Sequence, residues 1–90
     1  MITNIKLKVT PEQSRKVQEI AFKNRVYWLS NRNVVSYENK PYLYIKRSYV
    51  THGSILSTYE DSDLKEMDAN LFIQTNGTGI RKLLKRKPKD

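Results

Sequence analysis

Three groups of residues carry side chains and spacings suited to chemistry. Arg81, Lys82, Lys85, Arg86 and Lys87 crowd together near the end of the chain, with only Ile80, Leu83 and Leu84 as large apolar neighbours. Such a run has too little apolar surface to fold alone and points to a polyanion or an acidic surface. A solvated tail that keeps the chain in solution, or a segment docking on a partner protein, are the competing readings. In YLYIKR, Tyr42, Tyr44 and Lys46 recur at every second position. Tyrosine interleaved with lysine on one strand face lets single-strand binders stack bases while holding phosphates. The same pattern also suits a protein-binding patch or an ordinary half-exposed sheet face. His52 is the single histidine, in the turn sequence Thr51-His52-Gly53. It could carry a proton in RNA cleavage, but no carboxylate is set beside it, and a non-catalytic turn histidine is the expectation.

The remaining composition narrows the chemistry. Among 90 residues there is no cysteine, which removes disulfides, thiol catalysis and zinc ribbons. The acidic island Glu60–Asp68, with Asp61, Asp63, Glu66 and Asp68, lacks the glycine and closing glutamate of a calcium loop. Neither a phosphate-cradling GxxxxGK[ST] loop nor a Ser/His/Asp set is present. No metal, no cofactor and no enzymatic activity are expected. The net charge of +8 is unevenly placed: residues 1–60 carry +6, residues 61–73 carry −3 and residues 74–90 carry +5. The opening MITNIKLKV lacks the long apolar region of a signal peptide and no apolar run approaches a membrane span, so no membrane contact is expected.

These groups need elements to position them. Alternation of Ile5, Leu7 and Val9 with Lys6 and Lys8 predicts a half-buried strand. Thr10-Pro11-Glu12-Gln13 reads as a capping box with proline at the first helical position, opening a helix from Pro11 to about Asn24. Val17, Ile20 and Ala21 share its inner face, while Phe22 falls about 140° from Val17, as a core flank or an exposed aromatic. Four β-rich segments follow, at residues 26–29, 34–37, 42–47 and 54–59, separated by turn-forming residues. Trp28 reads first as the large anchor of the core. Asp68 is the expected cap of a second helix that turns Leu71, Phe72 and Met67 inward. The predicted fold is α+β, a small antiparallel meander packed on one main helix in the order β-α-β-β-β-β-α. It occupies residues 1–75 as a single domain, and residues 76–90 form a basic tail, flexible or helical after Asn76-Gly77-Thr78-Gly79.

At AFKNRVYW (21–28), PYLYI (41–45) and KEMDANLFI (65–73) the chain resembles small accessory proteins of T-even-type bacteriophages. Those proteins share an FKNGV-x-W element at a helix end, a proline-led PYLYI-like strand and a KE-x-x-x-x-x-F motif. The resemblance covers about residues 5–73 and rests on structural motifs. Arg25 stands where they usually carry glycine, so Asn24 is expected to take the left-handed conformation that ends the helix. The resemblance implies a host-takeover or counter-defence product in the cytoplasm of an infected bacterium. Such products bind and inhibit a host or defence protein, in one kind a ribonuclease toxin with RNA taking part.

Two readings therefore stand. In the first, an inhibitor docks on a host or defence protein through Phe22 or Trp28 with Tyr42 and Tyr44. RNA or DNA is held by Arg81, Lys82, Lys85, Arg86 and Lys87, with Tyr42, Tyr44 and Lys46 for stacking. In the second, the chain is a stand-alone nucleic-acid-binding module without a protein target. An unprotected sheet edge would also allow a homodimer.

Overall fold

Thr10 opens the main helix as its sequence predicts. Its hydroxyl accepts from the Gln13 backbone N–H, and the Gln13 side chain accepts from the Thr10 N–H at 2.9 Å. The computed structural model describes residues 1–76, so the basic run Arg81 to Lys87 lies outside the described residues. The elements are β1 (Ile5–Lys8), α1 (Pro11–Lys23), β2 (Tyr27–Trp28), β3 (Tyr42–Ile45), β4 (Tyr49–Gly53), α2 (Leu56–Asp61), β5 (Lys65–Glu66) and α3 (Ala69–Asn76). The domain is α+β. Its sheet is five-stranded in the order β2-β4-β3-β1-β5.

This sheet is mixed rather than an antiparallel meander. β1–β3 and β3–β4 are antiparallel, but β1–β5 and β2–β4 are parallel. Two expected strands are absent, and each has a physical reason. Residues 34–37 form a loop because their backbone groups are taken by side chains. The Gln18 amide donates to the Ser36 carbonyl at 2.7 Å and accepts from the Ser36 N–H at 2.9 Å, while the Trp28 indole donates to the Val34 carbonyl at 3.1 Å. Residues 54–59 turn into α2, because β2 already occupies the outer edge of β4 and β5 that of β1. In place of a strand pairing, α2 lays Tyr59 on the sheet.

One sheet face carries the core. Ile5, Leu7, Leu43, Ile45, Val50 and Trp28 pack against Val17, Ile20 and Ala21 of α1 and against Ala69 and Phe72 of α3. Asp68 caps α3 by accepting from the Leu71 N–H at 3.0 Å. Phe72 is fully buried and Met67 packs against the core, but Leu71 points outward, 48% exposed. The inner stripe of α3 is Ala69, Phe72 and Ile73, at helical spacing.

The end of α1 departs from expectation in an informative way. Asn24 has φ −95°, and Arg25 takes the left-handed conformation at φ 63°. The Arg25 N–H reaches the Phe22 carbonyl at 3.0 Å and the Val26 N–H the Ala21 carbonyl at 2.9 Å. That is a Schellman ending with arginine in the place glycine favours. A β-carbon in this conformation costs roughly 1–2 kcal/mol. Arg25→Gly should accordingly raise stability by about 0.5–1 kcal/mol, after the greater freedom of glycine in the unfolded chain is subtracted. The check is a higher urea midpoint with an unchanged slope; a lower midpoint contradicts the strain.

Candidate functional site

The alternation in β3 places Leu43 and Ile45 in the core and turns Tyr42 and Tyr44 to the opposite face, beside Lys8 and Lys6 of β1. That face is not open. Tyr59 of α2 lies over it, stacked on Tyr42 at 4.6 Å between ring centres and tilted against Tyr44 at 6.1 Å. Tyr44 is left only 8% exposed. Its ring lies over Gly53 of β4, where a β-carbon would stand 3.1 Å from the ring edge and from the hydroxyl. The expectation of a stacking platform is thus corrected at Tyr44, whose ring is buried; Tyr42 is half-buried and one face of it stacks on Tyr59.

Lys6 holds this closure. Only 8% exposed, its ammonium donates to the carbonyls of Tyr59 at 2.6 Å, Ser62 at 3.1 Å and Glu60 at 3.5 Å. These acceptors are the last carbonyls of α2 and the residue after it, groups a helix end leaves free. A cation suits that negative end. The same ammonium sits 4.7 Å from the centre of the Tyr59 ring. The Tyr59 hydroxyl donates to the Glu66 carboxylate at 2.9 Å, and Lys8 lies 4.0 Å from the same oxygen. Burial first, then the hydrogen bond to Glu66, push the Tyr59 phenol far above its ordinary value of 10.0. Burial and then Tyr42 raise Tyr44 as well.

The other side of the sheet offers what the Tyr face does not. Trp28, Leu29, Ser30, Tyr37, Val50, Thr51 and His52 line an open groove of about 350 Å³. Trp28, itself 5% exposed, forms the floor as part of the core. Tyr37 lies on the His52 ring at 4.1 Å, and Trp28 meets Tyr37 edge-on at 5.2 Å and His52 at 5.9 Å. Of the groove residues Leu29 and Tyr37 are 68% and 43% exposed, and on the same loop Val34, whose carbonyl takes the Trp28 indole N–H, is 59% exposed. The loop presenting them is fixed by the Gln18 and Trp28 hydrogen bonds described above and by the Trp28 N–H to the Arg32 carbonyl at 2.9 Å. Within it Asn31 and Tyr37 have φ of 73° and 56°. A left-handed tyrosine is strained and persists only where its surroundings hold it, a condition common at binding surfaces.

His52 belongs to this aromatic cluster, and its ring neighbours are Trp28 and Tyr37 rather than a carboxylate. Among the described residues no group of three or more acidic or histidine side chains could hold a metal. No helix among them is long and apolar enough to cross a membrane. Phe22 is half-buried against the core and meets the Tyr27 ring at 6.2 Å. Lys46 is half-buried with its ammonium 5.6 Å from the Tyr49 ring centre. The expected site residues do not include Leu29, Val34 and Tyr37, the exposed apolar residues of this loop. The available signal was apolar residues set among Asn31, Arg32, Asn33, Glu38 and Asn39, surroundings too turn-prone for a strand.

Two measurements check this geometry. The buried Tyr44 hydroxyl has no hydrogen-bond partner among the described residues. Tyr44→Phe should therefore be neutral or stabilising by up to about 1 kcal/mol, whereas Tyr59→Phe should lose about 0.5–1.5 kcal/mol with its hydrogen bond to the exposed Glu66. The reverse order in chemical denaturation contradicts the assignment. Burial, helped by Lys40, lowers the His52 pKa below its ordinary 6.5. The neutral ring is then favoured by folding, so its contribution to stability is full above the unfolded pKa and is lost as pH falls through the folded one. An NMR titration midpoint below 6.5 is expected; a midpoint above it would show an acidic partner.

Comparison of the chain with family models, with curated proteins and with solved structures finds no match.

Proposed function

We propose that this chain is a small basic binding protein that docks on another protein through the Trp28–Tyr37–His52 groove. In the setting implied by the phage resemblance, the partner is a host or defence protein, such as a ribonuclease toxin, and binding inhibits it. The positive charge of the chain holds RNA or DNA in the same complex. No catalytic step belongs to this reading.

The observation that supports it is the rigid apolar rim. Leu29 and Tyr37 are exposed at a groove floored by Trp28, and Val34 is exposed on the same loop, which is fixed by hydrogen bonds. Clustered exposed apolar residues on a small chain mark interaction surfaces. Aromatic anchors in a pre-ordered frame bind at low entropic cost. Arg32 and Lys40 flank the loop, and Glu38 is the single acid between Ile20 and Tyr59. An apolar patch rimmed by acidic residues is the complementary surface.

Affinity purification of the full chain from infected cells, with and without nuclease, tests the proposal. One stoichiometric protein partner is expected, partly lost on nuclease treatment. Leu29→Asp with Val34→Asp should weaken its capture about thirtyfold or more, in the range of interface hot spots, with the circular dichroism spectrum unchanged. Recovery of nucleic acid alone, or full capture by the folded double variant, overturns the proposal.

A further inference from the structure

The polyanion half of the proposed function leaves open where on the folded body a nucleic acid would lie. We propose that it is a single strand, stacked on Tyr27 and Tyr49 and held by Lys46, Arg47, Arg25 and Lys23 at one end of the sheet. This rests on the polyanion half of that reading and is independent of the protein-docking groove.

Register brings these residues together. β2 runs parallel to β4 with Tyr27 opposite Tyr49 and Trp28 opposite Val50. Trp28 and Val50 are buried in the core, so the two tyrosines share the other face, and both are half-buried. Arg25 lies two residues before Tyr27, as Arg47 lies two residues before Tyr49. Parallel pairing therefore sets both arginines at the same end of the sheet. Lys23 ends α1 at that end, and Lys46 reaches over the Tyr49 ring. Phe22 extends the aromatic surface from Tyr27.

The charges there are uncompensated. Segment 20–59 carries six basic residues and the one acid Glu38. The two ion pairs among the described residues are Lys8–Glu66 and Lys16–Glu12, neither of which involves this end. α2 lays Tyr59 over Tyr42 and Tyr44, while Tyr27 and Tyr49 remain half-buried. On the β3 side, Lys46 lines a cavity of about 240 Å³ with Thr51, Thr58, Ser62 and Leu64. Half-exposed aromatic rings among cations are the means by which proteins hold single strands without reading sequence. A duplex hides its base faces and would gain only the charge contacts.

Binding of the full chain to a labelled twelve-nucleotide oligouridine, followed by fluorescence anisotropy across a salt series, tests the inference. Tyr49→Leu should weaken binding about fivefold to a hundredfold at constant salt slope, because stacking is lost and no charge is removed. Lys46→Gln with Arg47→Gln, at positions outside the core, should flatten the slope by about 1.4, which is two phosphate contacts on a single strand. Ultraviolet crosslinking of the native complex should mark peptides containing Tyr27 or Tyr49. If the chain binds and neither variant changes affinity or slope, the site is wrong while polyanion binding stands. If no oligonucleotide or duplex binds at all, both the site and the polyanion half of the proposed function fall.

Discussion

A buried ammonium organises one whole side of this protein. Lys6 sits at the middle of the tyrosine face and has to find acceptors there, because a buried charge without partners is among the most costly groups a fold can contain. It finds the last carbonyls of α2. The arrangement solves two problems together, since those carbonyls have no partners of their own at the helix end. α2 is only six residues long and could not persist alone. Clamped by Lys6 and weighted by Tyr59, it covers Tyr42 and Tyr44, and the parallel strand β5 then returns the chain to β1.

With that face closed, the surfaces of the proposed function lie along the β2–β4 edge of the sheet, where successive residues of β2 point to opposite sides. Trp28 leads to the apolar groove with Tyr37 and His52, and Tyr27 leads to the basic end with Tyr49. In the proposed function one short strand thus separates a protein-docking side from a nucleic-acid side. That division of labour follows a physical rule: apolar anchors discriminate among partners, while cations supply affinity with little selectivity.

Local signals in the sequence were enough for those parts whose stability is local. The Thr10–Gln13 capping box, the Asp68 cap and the two-residue alternation of β1 and β3 each depend on neighbours within a turn, and the structure has them as read. The errors arise where distant partners decide. Val34–Tyr37 has β-forming residues, but Gln18 and Trp28 capture its backbone; Ser54–Tyr59 has them too, but a lysine fifty residues earlier holds it as a helix. Tyr44 is buried for the same reason, because alternation gives the face of a side chain and says nothing of what covers it. Leu71 shows the finer version: its helix was expected, and its direction was set by which neighbour of Phe72 met the core.

The claim that most of this depends on is that α2 seals the tyrosine face. Nitration of the native chain, mapped residue by residue by mass spectrometry, tests it directly, since the reagent needs an accessible ring that can ionise. Tyr37, exposed on its loop, should react readily, while Tyr44 and Tyr59, buried and with raised pKa values, should resist until the chain unfolds. Modification of Tyr44 and Tyr59 at the rate of Tyr37 in the folded protein would contradict the account.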